Sequence, residues 1–271
     1  GTELWRSDGT AAGTTMVADI NPGAESSNPD SFVAFGSSVV FKANDGATGD
    51  EPFVSDGTAI GTQQLMDVDP GPGSGDPINF AVGNFAGGAQ VVFSAWDATN
   101  GAELYISDGT PAGTAFLADL APGAAPWGAP NSGDPRFFVP LGNKVYFAAG
   151  LVTPTGLPNF SLFETDGTAL GTVQVLDPVG EPNGIQELAV AGGKVWFYGE
   201  DDSGLAYGAE LHAYDPTAGT FSMVAGDYDT QQDTRINHYV QAAHPSFNSL
   251  IFFADTGNGY EPQCTNGTTT V

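Results

Sequence analysis

An all-β chain folded as a β-propeller of four-stranded antiparallel blades is what this sequence predicts, and three observations predict it. One phrase built on Asp-Gly-Thr returns about every fifty residues. Each period holds four short strand-like stretches, enough for one blade. The second stretch of each period is apolar at consecutive positions, as a strand covered on both faces must be. No segment carries a sustained 3.6-residue apolar period, so little helix is expected.

The units follow in order. Residues 1–30 hold only the third and fourth strands of a unit, joined by Glu3-Leu-Trp-Arg-Ser-Asp8-Gly-Thr-Ala-Ala-Gly13-Thr14. Residues 31–77 hold all four, at 32–35, 39–41, 51–54 and 62–66, and the phrase runs from Glu51 through Asp56 to Thr62. In 78–135 the second strand is Val91-Val-Phe93 and the phrase runs from Glu103 through Asp108 to Thr114. Residues 136–184 repeat this with Val145-Tyr-Phe147 and a phrase from Ser161 through Asp166 to Thr172. Residues 185–237 carry Val195-Trp-Phe197 and a phrase one residue shorter, from Glu210 through Asp215 to Thr220. The last unit, 238–271, has Leu250-Ile-Phe-Phe253 and a degraded copy ending in Asn266-Gly-Thr. From Asp8 to Asn266 the steps are 48, 52, 58, 49 and 51 residues, the spacing of propeller blades. Residues 1–271 are therefore read as a single propeller domain. Joining the incomplete first and last units into one composite blade hides both sheet edges and gives five blades. Six is the alternative, if the surplus stretch 260–271 completes a blade.

Composition agrees with this fold and excludes some functions. Six Lys and Arg face 32 Asp and Glu, a net charge of −26, which repels phosphate backbones and anionic lipid surfaces. No nucleic acid and no membrane insertion are expected. With 38 Gly, 19 Pro and 41% hydrophobic residues the chain describes a turn-rich globular β protein. A single cysteine, Cys264, excludes an internal disulfide.

In the repeated phrase the Asp carboxylate accepts hydrogen bonds from backbone N–H groups just ahead of it, and Gly takes a positive φ without a Cβ clash. The phrase is thus a turn between third and fourth strands. Five equal copies, at Asp8, Asp56, Asp108, Asp166 and Asp215, fit a structural device better than a catalytic constellation. The phrase resembles the Glu-Leu-Trp-x-Ser-Asp-Gly-Thr-x-x-Gly-Thr repeat of secreted or surface-attached bacterial proteins. It is also similar to the Asp-box turn of sialidase-like propellers, and its fifth copy, around Asp215, resembles a Kelch turn. The resemblance implies a propeller and an extracellular or cell-surface setting; it implies no reaction.

The connections between second and third strands, and between units, are long and irregular and share one face of a propeller. Variable loops on a rigid scaffold are where binding normally resides. Trp96, Trp127, Tyr207 and Tyr228 lie in or beside these loops as candidates for stacking on a sugar or peptide. Trp5 and Trp196 belong to strands and read as core. Two loop stretches, Asp67/Asp69/Asp76 and Asp227/Asp229/Asp233, space carboxylates as a calcium ligand set would, although neither is an EF-hand. The Asp that ends each fourth strand, at 19, 67, 119 and 177, reads as a blade-to-blade hydrogen bond. With only Arg6, Arg136 and Arg235 there is no arginine cluster for a sialidase substrate. The expected function is a non-catalytic binding or scaffolding module engaging a protein or glycan partner. Two alternatives are a propeller-fold carbohydrate-active enzyme and a structural subunit assembling through terminal strands.

Overall fold

The computed structural model describes residues 1–125, 128–152, 158–175, 183–200, 210–223, 239–240, 250–255 and 260–265. Within them every sheet is an antiparallel meander in which each strand pairs with its sequence neighbour. The first sheet has two strands, β1 (Leu4–Arg6) and β2 (Thr15–Ala18). The second is β3 (Asp30–Phe35), β4 (Ser38–Asn44), β5 (Asp50–Ser55) and β6 (Gln63–Gln64). The third is β7 (Ile78–Phe85), β8 (Gly88–Asp97), β9 (Gly101–Ser107) and β10 (Thr114–Ala118). The fourth is β11 (Arg136–Leu141), β12 (Lys144–Val152), β13 (Pro158–Thr165) and β14 (Val173–Gln174). The fifth is β15 (Asn183–Ala191), β16 (Lys194–Glu200), β17 (Glu210–Asp215) and β18 (Thr220–Met223). The sixth has three strands, β19 (Tyr239–Val240), β20 (Leu250–Asp255) and β21 (Tyr260–Thr265). Among the described residues the helical content is one 3-10 turn, Pro111–Gly113.

The continuous apolar runs have a direct physical reason. Neighbouring residues of a strand point to opposite faces, and here both faces are core. Val92 packs with Val145 and Phe147 of the fourth sheet, while Val91 and Phe93 pack with Val40 and Val54 of the second. One sheet further on, Tyr146 packs with Val195 and Phe197, and Val145 and Phe147 turn back to the third sheet. The core is therefore a series of slabs between successive sheets. The first strands of these sheets also touch in turn, β3 with β7, β7 with β11 and β11 with β15. Four-stranded antiparallel sheets stacked face to face with their first strands side by side make a propeller-like, all-β arrangement.

An aromatic row crosses each complete sheet. The Phe of the second strand meets an aromatic ring of the third: Phe41 with Phe53, Phe93 with Tyr105, Phe147 with Phe163 and Phe197 with His212, at 5.4–6.0 Å between centroids. Phe80 and Phe138 extend two of the rows inward at 5.1 Å. Trp196 is core as expected, 1% exposed with Nε1 donating to the Ala191 carbonyl. Trp5 is not; it is 58% exposed, and among the described residues its strand β1 pairs with β2 alone.

Candidate functional site

The repeated turn is built the same way four times. Asp56 Oδ1 accepts the Thr58 N–H at 2.9 Å and the Thr58 hydroxyl at 2.7 Å, and Thr58 Oγ1 accepts the Gly61 N–H at 3.0 Å. Thr62 Oγ1 donates to the Thr58 carbonyl, so the Ser55 hydroxyl must donate to Thr62, and Ser55 Oγ in turn accepts the Gly57 N–H. Asp8, Asp108 and Asp166 sit in matching networks. Gly57 takes φ +83°, and a Cβ on Gly61 would stand 2.1 Å from the Asp56 carboxylate, which is why both glycines recur. These bonds hold the carboxyls of Asp8, Asp56 and Asp166 below their ordinary range, Thr10, Thr58 and Thr168 being the largest contributors. The Thr N–H and hydroxyl that this carboxylate accepts both come from its own turn. Asp215, where Pro216 replaces the glycine, accepts from the Thr217 and Ala218 N–H groups instead.

A second device, which the sequence reading missed, joins one unit to the next. The phrase's opening glutamate is buried, and its two oxygens bind opposite ends of the following connection. Glu51 accepts from Val68 N at 2.9 Å and Gly75 N at 2.8 Å; Glu103 accepts from Leu120 N and Gly133 N, both at 2.7 Å. Glu3 does the same with Ile20 N and Ser27 N and adds the Ser27 hydroxyl. The signal was available: Ser26-Ser-Asn-Pro29, Ser74-Gly-Asp-Pro77 and Ser132-Gly-Asp-Pro135 recur in step with the glutamate. The first Ser of each accepts a backbone N–H from the residue before the glutamate, Thr2, Asp50 or Ala102. Burial, reinforced by the charges of Asp67 and Asp69, pushes the Glu51 carboxyl up to about 7, and burial with Asp119 and Asp134 does the same to Glu103. A carboxyl near neutrality is a usual mark of an acid–base catalyst. Here both oxygens are committed to backbone N–H groups, and the arrangement repeats, so the shift is the electrostatic consequence of a structural staple.

Of the described acids assigned to calcium, Asp67 and Asp69 accept backbone N–H groups. Asp76, like Asn28 and Asp134, takes a left-handed conformation (φ 43–45°) leading into a first strand, and its N–H donates to the Asp50 carbonyl. Asp67 Oδ2 accepts from Gly71 N within its own loop, while Oδ1 is buried with no hydrogen-bond partner among the described residues. Asp69 Oδ1 accepts from Ala98 N of the next sheet's loop. Among the described residues no group of three or more His, Cys, Asp or Glu side chains is arranged to hold a metal ion. The blade-to-blade role expected of the strand-ending aspartates falls to the glutamates and to Asp69: Asp67 and Asp119 bond within their own connections. Asp177, Asp227, Asp229, Asp233, Trp127, Tyr207 and Tyr228 lie outside the described residues.

On the loop face Trp96 is 39% exposed, and its backbone N–H donates to Gly75 O across the sheet junction at 2.7 Å. The loops around it are internally braced. Asp97 accepts the Thr99 and Asn100 N–H groups and the Tyr105 hydroxyl, at 2.5 Å from the last. Burial alone would raise the Asp97 carboxyl, but those bonds outweigh it and hold the group below its ordinary range. Asp45 closes the matching loop of the second sheet onto Ala47 N and Thr48 N. A second surface feature is a cavity of about 420 Å³ between the first two sheets, lined by Leu4, Trp5, Arg6, Val17, Phe32 and Val39 among others.

In three dimensions the chain is similar to a puromycin hydrolase, at 16% identity and a TM-score of 0.56, the match covering 100% of this chain and 42% of that one. It is similar also to a Mycobacterium tuberculosis puromycin-hydrolyzing peptidase, at 12% identity and a TM-score of 0.52, again over 100% of this chain and 42% of the other. The chain thus spans about two fifths of the length of each. At these identities the likeness is one of fold. No protein-family model matches the sequence, and no curated protein does.

Proposed function

We propose that this chain is a non-catalytic β-propeller module, five-bladed with a composite closing blade, that works outside the cell or at its surface. Its acidic loop face engages a protein or glycan partner. The observation that carries the reading is Trp96, a flat apolar surface exposed at the end of β8 and flanked by loops that their own carboxylates brace. A binding surface held rigid before the ligand arrives loses little entropy on association. The described carboxyls that titrate near neutrality, Glu51 and Glu103, are wrapped by backbone N–H groups, which speaks for binding over acid–base chemistry.

The test is a glycan array and a surface-protein pull-down with the chain and its Trp96→Ala variant. Binding should fall at least tenfold in the variant, with an unchanged circular dichroism spectrum and melting temperature. Undiminished binding by the folded variant would remove the site.

A further inference from the structure

We propose that the guanidinium of Arg136, at the loop-face end of β11, is a binding site for the carboxylate of an organic monocarboxylate. The site is separate from Trp96 and goes beyond the reading given above.

The repeat makes the position comparable between sheets. Where the first strands begin, Asp30 lies opposite Lys42, Ile78 opposite Ser94 and Arg136 opposite Ala148. In the second sheet the charge is answered on the spot, Lys42 Nζ standing 3.4 Å from Asp30 Oδ2. In the fourth the facing residue is an alanine. Two residues further along β12 comes Gly150, in the place that Trp96 fills in β8, and opposite Gly150 lies Phe160. Neither Ala148 nor Gly150 has a side chain long enough to bar the way. The Arg136 guanidinium therefore reaches over β12 and lies 3.3 Å from the centre of the Phe160 ring, with Phe137 flanking it at 5.8 Å.

Stacking uses the face of a guanidinium and leaves its N–H groups, which lie in its plane, free for a pair of oxygens. Among the described residues Arg136 makes no hydrogen bond or ion pair, and its Nε is buried. Lys144 is paired with Glu164, and Arg6 donates to the Gly57 carbonyl. In a chain of net charge −26, Arg136 thus keeps an aromatic ring beside it in place of a counter-ion. Burial, only partly offset by the charge of Asp134, holds the group below its ordinary value.

A half-buried charge gains most from a partner that is both opposite in sign and hydrogen-bonded. A planar carboxylate meets a planar guanidinium through two parallel N–H···O bonds. It also brings a single negative charge, matched to the single guanidinium, whereas a phosphate dianion brings a second into a strongly negative field. The flanking rings of Phe137 and Phe160 offer apolar surface and no further donor. They suit an aliphatic or aromatic body next to the carboxylate.

Phenylglyoxal, which modifies guanidinium groups, tests this on the unaltered chain, with the modified peptides assigned by mass spectrometry. Arg136 should react in the absence of ligand. An excess of phenylacetate should slow that reaction severalfold and leave Arg6 unchanged, while phenylacetamide, or phosphate at equal ionic strength, should have no such effect. An Arg136 that is inert without ligand overturns the proposal, because the chain itself then holds the guanidinium. Absence of protection by phenylacetate overturns it too, as does equal protection by the amide or by phosphate. In a folded Arg136→Lys variant, phenylacetate binding followed by NMR should weaken severalfold, since an ammonium cannot present the fork; unchanged affinity rejects the two-bond contact. Trp96→Ala should leave the protection of Arg136 intact. Loss of protection in that variant would assign the carboxylate to the Trp96 surface and reject a separate site.

Discussion

Glu3 and Glu103 occupy the same place in the repeated phrase, one in the two-stranded first sheet and the other in the four-stranded third, and they titrate in opposite directions. Around Glu3 the cost of burial is outweighed by the Ser27 hydroxyl and the N–H groups of Ile20 and Ser27, so the carboxyl stays below its ordinary value. Around Glu103 burial dominates, Asp119 and Asp134 add to it, and two N–H groups do not compensate. The staple is the same. What differs is the packed sheet around it, and the difference shows that a repeated local geometry does not imply a repeated energetic role.

The largest effect expected from that comparison is on folding stability. Glu103→Ala strands the buried N–H groups of Leu120 and Gly133, a loss of about 2–6 kcal/mol at ~1–3 kcal/mol per orphaned group. Glu3→Ala should cost less than half as much in a denaturant melt, because Ile20 is only partly buried and water can replace one bond. Equal losses would mean that the first sheet is as enclosed as the third.

A smaller effect should be the same in both regions. Gly13→Ala and Gly61→Ala each drive a Cβ to within 2.0–2.1 Å of the preceding turn's carboxylate. Both should lower stability by about 1–2 kcal/mol, and by equal amounts, because that turn is satisfied by its own residues wherever it sits.

The smallest effect is on pH dependence. For Glu51 and Glu103 the folded-state value of about 7 lies above the ordinary 4.5, so the folded chain binds the extra protons. Their contribution is full below the ordinary value and is lost as pH rises through about 7. Glu3, Asp45 and Asp97 are depressed, so their contribution is present above the ordinary carboxylate range and lost as pH falls through their folded values. The melting temperature should therefore peak between these limits. Glu103→Gln should flatten the decline from about pH 5 to about pH 8, and Glu3→Gln should leave that limb unchanged. A steeper alkaline decline in Glu103→Gln would reverse the assignment.

The turn was fully legible in the sequence because everything it needs lies within eight residues: Ser55, Asp56, Gly57, Thr58, Gly61 and Thr62 satisfy one another. The strand order was legible for a similar reason, since Val91-Val-Phe93 can only be a strand with core on both faces. Asp67 and Asp119, read from the sequence as blade-to-blade contacts, bond within their own connections instead. A carboxylate in a glycine-rich loop looks the same in sequence whether it faces a cation, a solvated turn or a backbone N–H. The glutamate staple was missed because its partners lie 17 and 24–30 residues away, at Val68 and Gly75 or Leu120 and Gly133.

The sequence by itself determined the all-β class, the fifty-residue unit, the turn chemistry and the two-faced second strands. Each of these depends on bonds within a few residues or on the period of side chains along one strand. Only the tertiary structure decided which copies of a repeated residue are buried, so that Trp5 stands exposed where Phe53 and Tyr105 are enclosed, and Glu103 is pushed toward neutrality where Glu3 is not. Burial and dielectric belong to the neighbours a residue acquires when sheets stack, and those neighbours are set by parts of the chain that the local sequence does not contain.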